Sequence, residues 1–278
     1  MQIKARGSVL DLSTPQVMGI LNVTPDSFSD GGTHNRYLDA IDHVAKMVQE
    51  GATIIDIGGE STRPGAADVS VSEELDRVIP VVEAIAQRFD VWISVDTSKA
   101  KVMSEAAKAG MHIINDIRSL HEPDALAVAA KTGLPVCIMH MQGQPRTMQE
   151  APNYENVVRE VQEYLAAEIA RCVAAGIERQ QIILDPGFGF GKNLSHNYQL
   201  LANLEQFHNF GLPLLAGMSR KSMIGQLLNV PPQERLAGSL TCAVIAAMQG
   251  AHIIRVHDVR ETAQAMQVVQ LTMSKKEM

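Results

Sequence analysis

The chain is poor in the residues that would mark a secreted or membrane protein. Its three cysteines, Cys137, Cys172 and Cys242, are widely spaced and set in apolar runs, so we expect buried, reduced thiols and no disulfide framework. No apolar run approaches the roughly 20 residues that a membrane-spanning helix needs, and the first twelve residues lack the apolar core of a signal peptide. We therefore expect a cytoplasmic protein without a membrane partner.

Positive charge is also scarce, which argues against nucleic acid as a partner. Lysine and arginine total 24 against 31 aspartate and glutamate residues, a net charge of −7, and no basic run could neutralise a phosphate backbone. A small anion is not excluded, because a few local cations can outweigh the global balance. Aromatic residues make up only 4% of the chain, so a lone Phe28 in a polar loop after an apolar strand needs an explanation.

What the chain does have is a repeating alternation of strands and helices. Short apolar runs recur, each followed by a polar or Gly-rich break and an amphipathic stretch. We predict strands at residues 17–22, 54–57, 92–96, 112–117, 135–139, 182–185, 213–217 and 252–257. We predict helices at 36–50, 73–88, 99–109, 154–175 and 234–249, among others. Eight strand–helix units match a single-domain (β/α)8 TIM barrel over residues 1–278, and a doubly wound sheet is the alternative.

The N-terminal segment and the glycines between helices and strands fit the same architecture. Residues 2–12 fall outside the eight units and are interpreted as a short hairpin that closes the bottom of the barrel. In six places a glycine follows a helix and precedes a strand, where the left-handed backbone conformation costs glycine least. These glycines are Gly51, Gly110, Gly133, Gly176, Gly211 and Gly250.

Polar side chains collect where the predicted strands end. Alternate residues of a barrel strand point inward, and the chemistry of such barrels lies at the C-terminal ends of the strands. On this count six side chains converge at one end of the barrel: Asn22, Asp56, Asp96, Asn115, Asp185 and Arg255. Buried carboxylates are costly unless they are paired, so the group predicts a binding site, although a supporting role would explain Asp56 alone.

The residue types in this group indicate the kind of ligand. A carboxylate accepts two adjacent N–H donors, and Asp with Asn therefore suits a flat heterocycle with a 2-amino-4-oxo pyrimidine edge. An arginine at the rim would stack on such a ring or meet an anion.

Three loop motifs remain: GGESTRPGA (58–66), LDPGFGFGKN (184–193) and GMSRKSMIG (217–225). The second is one residue short of the phosphate-loop spacing and has Asn193 where that motif needs Ser or Thr, so we reject a nucleotide loop and expect Lys192 to be solvated. The third places Arg220 and Lys221 at the start of a predicted helix, a position that favours anions.

Together with MGILNVTPDSFSDGG, DIGGESTRPG, SVDTSK, IINDI and IRVHDV, these segments resemble the dihydropteroate synthase family of the bacterial folate pathway, over essentially the whole chain and in order. The resemblance implies a TIM barrel, usually a homodimer. It implies a transferase that joins 6-hydroxymethyl-7,8-dihydropterin pyrophosphate to 4-aminobenzoate and releases pyrophosphate with the help of Mg²⁺. Sulfonamides, which mimic 4-aminobenzoate, are the expected inhibitors.

The resemblance also implies roles for individual residues. The expected pterin-binding residues are Asp96, Asn115, Ile117, Met139, Asp185, Gly217, Lys221 and Arg255, of which Asp96, Asp185, Lys221 and Arg255 are the catalytic candidates. The expected 4-aminobenzoate pocket comprises Phe28, Thr62, Arg63, Pro64, Phe190, Ser219 and Lys221. The pyrophosphate would be held by Asn22, Arg63, Arg255 and His257, with Asn22 also on Mg²⁺. His257 could instead be a structural hydrogen-bonding residue.

Two loops, 23–35 and 60–71, are rich in turn formers and are expected to close over the site. Phe28 would then be buried against the aminobenzoate ring, unless it is a surface aromatic packed on a helix. Three other functions stay open on sequence alone: a pterin-binding methyltransferase, a noncatalytic pterin-binding paralogue, and a phosphate-binding barrel isomerase or aldolase. The last is weakened because no Schiff-base lysine or glutamate base ends a strand.

Overall fold

The computed structural model describes residues 1–24, 33–60, 68–143, 148 and 151–276. Its strands are β1 (Gln2–Ala5), β2 (Ser8–Asp11), β3 (Gln16–Asn22), β4 (Ile54–Gly58), β5 (Trp92–Asp96), β6 (Ile113–Asp116), β7 (Val136–Met139), β8 (Ile182–Asp185), β9 (Leu215–Ala216) and β10 (Ile253–Val256). Its helices are α1 (Thr33–Gln49), α2 (Val71–Arg88), α3 (Ala100–Ala109), α4 (Ala125–Thr132), α5 (Val157–Ala174), α6 (Leu194–Ala202), α7 (Ser222–Leu228), α8 (Leu236–Met248) and α9 (Val259–Lys276).

The eight strands β3–β10 are parallel and form a nearly closed barrel. Their order around the sheet is β8-β7-β6-β5-β4-β3-β10-β9. A parallel bridge between Leu184 and Leu214 joins the two edges, and the Leu184 amide donates to the Pro213 carbonyl at 2.9 Å. The predicted (β/α)8 barrel is therefore confirmed, and an open doubly wound sheet is excluded.

The N-terminal hairpin is confirmed as well. β1 and β2 pair antiparallel, with Gln2 opposite Asp11. Leu12 donates its amide to the Met1 carbonyl at 2.9 Å, and Ile3 and Leu10 are buried, so the hairpin contributes apolar side chains to the core.

The core lies on both faces of the barrel strands. β4 and β6–β8 are buried along their whole length, as expected for parallel strands that are covered by helices outside and side chains inside. The three cysteines are free and buried, as predicted. In the described part of the chain no helix is long and apolar enough to cross a bilayer.

Helix boundaries follow local capping chemistry. All six predicted glycines have positive φ, from +63° to +127°. α2 begins after a capping box in which the Ser70 hydroxyl accepts from the Glu73 amide while Glu73 accepts from the Ser70 amide. α5 begins at Val157, three residues later than predicted, because the Asn156 side chain caps it by accepting from the Arg159 amide.

β9 is the strand that differs most from prediction. It spans two residues instead of the five predicted for 213–217. Pro213 has no amide hydrogen to donate to a neighbouring strand, so at this position the sheet is held by the Pro213 carbonyl alone.

Candidate active site

The strand register brings the predicted polar residues to one level of the barrel mouth. Asn22 lies opposite Gly58, Gly58 opposite Asp96, and Asp96 opposite Asn115 in successive parallel pairs. Neighbouring strands thus present one amide, one carboxylate and another amide at the same height.

Asp56 is the centre of the hydrogen-bond network below that level. Its carboxylate is fully buried and accepts from the Ser94 hydroxyl at 2.6 Å, from Nδ2 of Asn115 at 3.2 Å and from Nε of Arg255 at 2.6 Å. Four strands are linked through this one side chain. Inward counting along the strands placed Asp56 in the group but could not show that it is the shared partner.

Arg255 joins Asp56 to Asp96. Its Nη2 donates to Oδ2 of Asp96 at 3.1 Å while Nε holds Asp56. Burial acts to lower the pKa of Arg255, but Asp56 and Asp96 together raise it above its ordinary value. The guanidinium is therefore charged and fixed in orientation.

The pKa of the Asp96 carboxyl is set by opposing effects. Burial raises the pKa of its carboxyl to about 7, Arg255 acts to lower it, and the carboxylates of Asp56, Asp116 and Glu74 add to the rise. A carboxylate with such a pKa can change its charge in the physiological range.

Asp185 and Lys221 influence each other's charge at the barrel mouth. Oδ1 of Asp185 accepts from the Gly187 amide at 2.7 Å. Burial raises the pKa of Asp185, and Lys221 is the first of the groups that oppose the rise. Burial lowers the pKa of Lys221 to about 8, with Asp185 acting in the other direction.

The position of Lys221 is set by the loop after β8. Its Nζ donates to the Phe188 carbonyl at 2.6 Å and lies 4.7 Å from the centre of the Phe190 ring. An ammonium over an aromatic face is attracted by the ring, so Lys221 and Phe190 are brought together as one side of the site.

Ser219 and His257 face each other across the β9–β10 end of the barrel. The Ser219 hydroxyl lies 3.0 Å from Nδ1 of His257 and accepts from the His257 amide at 3.1 Å. Beside them Arg220, which has a φ of +57°, forms an ion pair with Asp258. Arg220 thus has a structural role, whereas Lys221 is the cation that faces the site.

The other residues of the predicted pterin set are Met139, Gly217 and Ile117, and the first two adjoin the charged side chains. Met139 is buried and lies opposite Asp185 in the β7–β8 register. A Cβ on Gly217 would lie 3.6 Å from Cβ of Arg255. Ile117, two residues past Asn115, is also buried.

Residues 18–257 match the family of pterin binding enzymes. The chain is 72% identical over 277 residues to the dihydropteroate synthase of Escherichia coli K12, covering 100% of this chain and 98% of that protein. It belongs to the dihydropteroate synthase family.

Solved structures agree with this assignment. A Yersinia pestis dihydropteroate synthase with a sulfonamide drug superposes with a TM-score of 0.95 at 68% identity, covering 99% of this chain and all of that one. A Xanthomonas albilineans dihydropteroate synthase in complex with 7,8-dihydropteroate gives a TM-score of 0.90 at 44% identity, covering 98% and 99%. Dihydropteroate synthases are pterin-binding transferases of folate biosynthesis.

Some residues expected from the dihydropteroate synthase resemblance lie outside the described ranges. They are Phe28, Thr62, Arg63 and Pro64, and with them most of the two loops expected to close over the site. Their predicted roles in the 4-aminobenzoate and pyrophosphate subsites stay predictions.

The expectation for Lys192 was wrong. This residue is 2% exposed instead of solvated, and its Nζ lies 2.8 Å from the Gly187 carbonyl and 2.9 Å from Nδ1 of His140. The glycine-rich loop curls back on the lysine, which a comparison with phosphate-loop spacing cannot show.

A partly buried lysine also escaped sequence reasoning. Lys99, in the SVDTSK motif, forms ion pairs with Glu60 and with the buried Glu74. Burial acts to lower the pKa of Lys99, but the two glutamates raise it overall. Glu60 and Glu74 belong to the β4–α2 unit and Lys99 follows β5, so only the folded barrel brings the lysine to the two glutamates.

Proposed function

We propose that this chain condenses 6-hydroxymethyl-7,8-dihydropterin pyrophosphate with 4-aminobenzoate, giving 7,8-dihydropteroate and pyrophosphate. The observation that carries the proposal is the placement of two carboxylates at the barrel mouth: Asp96 is ion-paired with Arg255, and Asp185 is buried where Lys221 favours its charged form. Such a pair suits a polar, flat heterocycle whose ring becomes electron-poor during the reaction.

Recognition of the pterin follows from the hydrogen-bonding capacity that the site leaves open. Asp185 has one oxygen on the Gly187 amide, so its other oxygen is available to pterin N–H groups. Lys221 uses one of its three donors on the Phe188 carbonyl, which leaves donors for the pterin carbonyl. Asn115 uses its amide nitrogen on Asp56, and its amide oxygen can accept from a pterin N–H group.

The pyrophosphate would be held by Arg255, His257, Asn22 and Arg63. Among the described residues no group of three His, Cys, Asp or Glu side chains could hold a metal by itself. A lone amide oxygen from Asn22 suits Mg²⁺, which keeps water and substrate phosphates as its other ligands. Bound in this way, Mg²⁺ would neutralise charge on the leaving group.

The reaction would be a dissociative displacement. The bond between the pterin methylene carbon and the pyrophosphate oxygen breaks, its electron pair leaves with the pyrophosphate, and the positive charge spreads into the dihydropterin ring. Asp96 and Asp185 stabilise that charge, and Arg255 stabilises the departing anion. The arylamine lone pair then forms the C–N bond, and the nitrogen loses a proton to water.

The test is a condensation assay with purified protein, both substrates, and Mg²⁺ present or absent. We expect pyrophosphate and dihydropteroate in equal amounts, with the rate dependent on Mg²⁺. Pterin binding without product formation would indicate a noncatalytic paralogue, and methyl transfer from a methylated folate would indicate a methyltransferase. Either result would overturn the proposal.

We further propose that sulfonamides inhibit this chain. A relative at 68% identity has been solved with a sulfonamide drug, and the STRPG segment and Phe28 are present here. We expect inhibition that is competitive with 4-aminobenzoate, measured as a rise in its KM without a change in kcat. Full activity at saturating sulfonamide would contradict this prediction.

We also propose the homodimer and the cytoplasmic location that the family resemblance implies. Six of the large hydrophobic side chains that are exposed in the described residues lie on the consecutive helices α7, α8 and α9, which supports a homodimer formed through this face. Three free, buried thiols suit the reducing cytoplasm.

A further inference from the structure

The buried ammonium of Lys192 is surrounded by hydrogen-bond acceptors, and the His140 carbonyl, at 3.4 Å, is the farthest of them. Its Nζ lies 2.8 Å from the Gly187 carbonyl, 2.9 Å from the Phe190 carbonyl and 2.9 Å from Nδ1 of His140. A lysine ammonium has three donors and no acceptor. Within the described part of the chain, no carboxylate lies at ion-pair distance from it, so backbone carbonyls and an imidazole hold this charge.

His140 suits the role of acceptor. Burial and the charge of Lys192 lower the pKa of His140 to about 2, so its imidazole is neutral. Burial lowers the pKa of Lys192 well below its ordinary value, although the negative charge of Asp185 acts to raise it. Asp185 and Lys192 therefore stabilise each other's charged forms.

The loop that Lys192 holds presents its other side to the pterin site. The Gly187 amide donates to Asp185 at 2.7 Å. The Phe188 carbonyl accepts from Lys221 at 2.6 Å, and the Phe190 ring lies 4.7 Å from the same ammonium. The two carbonyls bound by Lys192 therefore flank the residues that orient Asp185 and Lys221.

The loop has no spare room on the side of β7. A Cβ on Gly187 would lie 1.9 Å from the His140 carbonyl oxygen, and one on Gly191 would lie 2.3 Å from the Gln142 carbonyl oxygen. Asp185 is also bound to the segment after β7, since its carbonyl accepts from the His140 amide at 3.0 Å. A change at Lys192 would therefore be transmitted to Asp185 and Lys221.

We propose that Lys192 is a positioning residue for pterin binding, which fixes the 187–190 loop so that Asp185 and Lys221 face the pterin and which adds its charge to the surroundings of Asp185. The inference rests on the proposed function and adds to the same site a residue that does not itself touch the ligand.

The test is Lys192→Met, which keeps the length of the side chain and removes its donors and charge. Binding of the dihydropterin pyrophosphate is measured by calorimetry, and the fold is checked by circular dichroism and thermal melting. We expect a loss of affinity of about tenfold or more, as for the loss of a charged hydrogen bond. Lys101→Met, at an exposed position on α3, is the matched control and should bind as the wild type does. Unchanged pterin affinity in a folded Lys192→Met protein would overturn the proposal.

Pterin binding measured across pH tests whether the charge of Lys192 acts on Asp185 or whether Lys192 only supports the loop. The charged groups that face Asp185 are Lys221, Lys192 and Arg255, all of which act to lower its pKa, and the neutral Cys137 thiol lies among them. Without Lys192 the pKa of Asp185 rises, so pterin binding should weaken at a higher pH on acidification than in the wild type. An unshifted acid limb would reject the charge component and leave Lys192 a structural residue.

A pair of His140 variants covers the case in which Lys192→Met does not fold. His140→Gln keeps an acceptor for Lys192 and should retain pterin binding, whereas His140→Leu removes it and should lose affinity. Equal affinities in the two would overturn the proposal. If the wild type binds pterin but forms no dihydropteroate, the proposed function fails while this inference survives.

Discussion

Asp96 is a carboxylate whose surroundings act on its protonation in opposite directions. Burial raises its pKa to about 7 although Arg255 lies against it. If its negative charge stabilises the ring cation, kcat/KM should fall as the pH falls through about 7, because the protonated acid no longer does so.

The substitution Asp96→Asn tests this role. We expect kcat to fall by a factor on the order of a hundred, pterin affinity to survive, and the acid limb at this pKa to disappear from the pH profile. Steady-state kinetics across pH measure all three, with Asp90→Asn, at an exposed position, as the control. An unchanged kcat would remove Asp96 from the mechanism.

We expect Asp56 to act on the reaction through Arg255. Its carboxylate is fully buried and accepts from Arg255 at 2.6 Å. In Asp56→Asn the Arg255 guanidinium keeps only Asp96 as a charged partner. We therefore expect kcat/KM to fall at least tenfold. The free energy of unfolding should fall by roughly 3 kcal/mol, as when a buried ion pair is broken. Urea unfolding and kinetics measure the two effects. Ser94→Ala, which removes a neutral donor to the same carboxylate, should have the smaller effect, and the reverse order would contradict the assignment.

At the scale of elements, the loop between β8 and α6 depends on glycine at position 187, where another backbone approaches closely. Gly133 provides a comparison without such a contact. Gly187 has a φ of +74° and would place a Cβ 1.9 Å from the His140 carbonyl oxygen. Gly133, at the end of α4, has a φ of +65° with nothing within 4 Å. The two positions share the left-handed strain and differ in the steric clash.

Alanine at each position separates the two costs. Gly133→Ala should lose about 1–2 kcal/mol of stability, the cost of left-handed backbone in an L-residue. Gly187→Ala should lose clearly more and should also lose pterin affinity, since the loop must move. Thermal melts and pterin titration measure these changes, and equal destabilisation by the two variants would show that the contact with His140 is unimportant.

Most elements could be predicted from the sequence because their signals are local. Apolar runs, amphipathic stretches and helix-ending glycines depend on neighbouring residues, and all six glycines have positive φ in the structure. The shortness of β9 and the late start of α5 depend on single side-chain or backbone groups, Pro213 and Asn156. Element boundaries were therefore less predictable than element types.

At the scale of the whole molecule, the site exists because the barrel closes. Asp56 and Arg255 are 199 residues apart in the chain and 2.6 Å apart in space. Counting inward positions along each strand predicted that both face the interior. It could not predict that they pair, nor that Lys192 turns inward, because these contacts depend on strand register and loop path rather than on local pattern.

The face formed by α7–α9 carries exposed apolar side chains that the described part of the fold does not cover. Its members are Leu227, Leu228, Ile245, Met248, Val268 and Leu271. Monomeric soluble proteins rarely expose large contiguous apolar surface, so we expect the purified protein to sediment with twice the mass of the chain.

Charge introduced on this face should disrupt the dimer. The double variant Leu227→Lys/Met248→Lys should shift the protein towards monomer in sedimentation equilibrium, because burying two unpaired ammonium groups at an interface is strongly unfavourable. The matched control is Val9→Lys/Val173→Lys, which adds the same charge at exposed apolar positions on β2 and α5. Because the described site residues all come from one barrel, the monomeric variant should still bind the pterin. A dimer that tolerates the first double variant as well as the second would place the interface on another face.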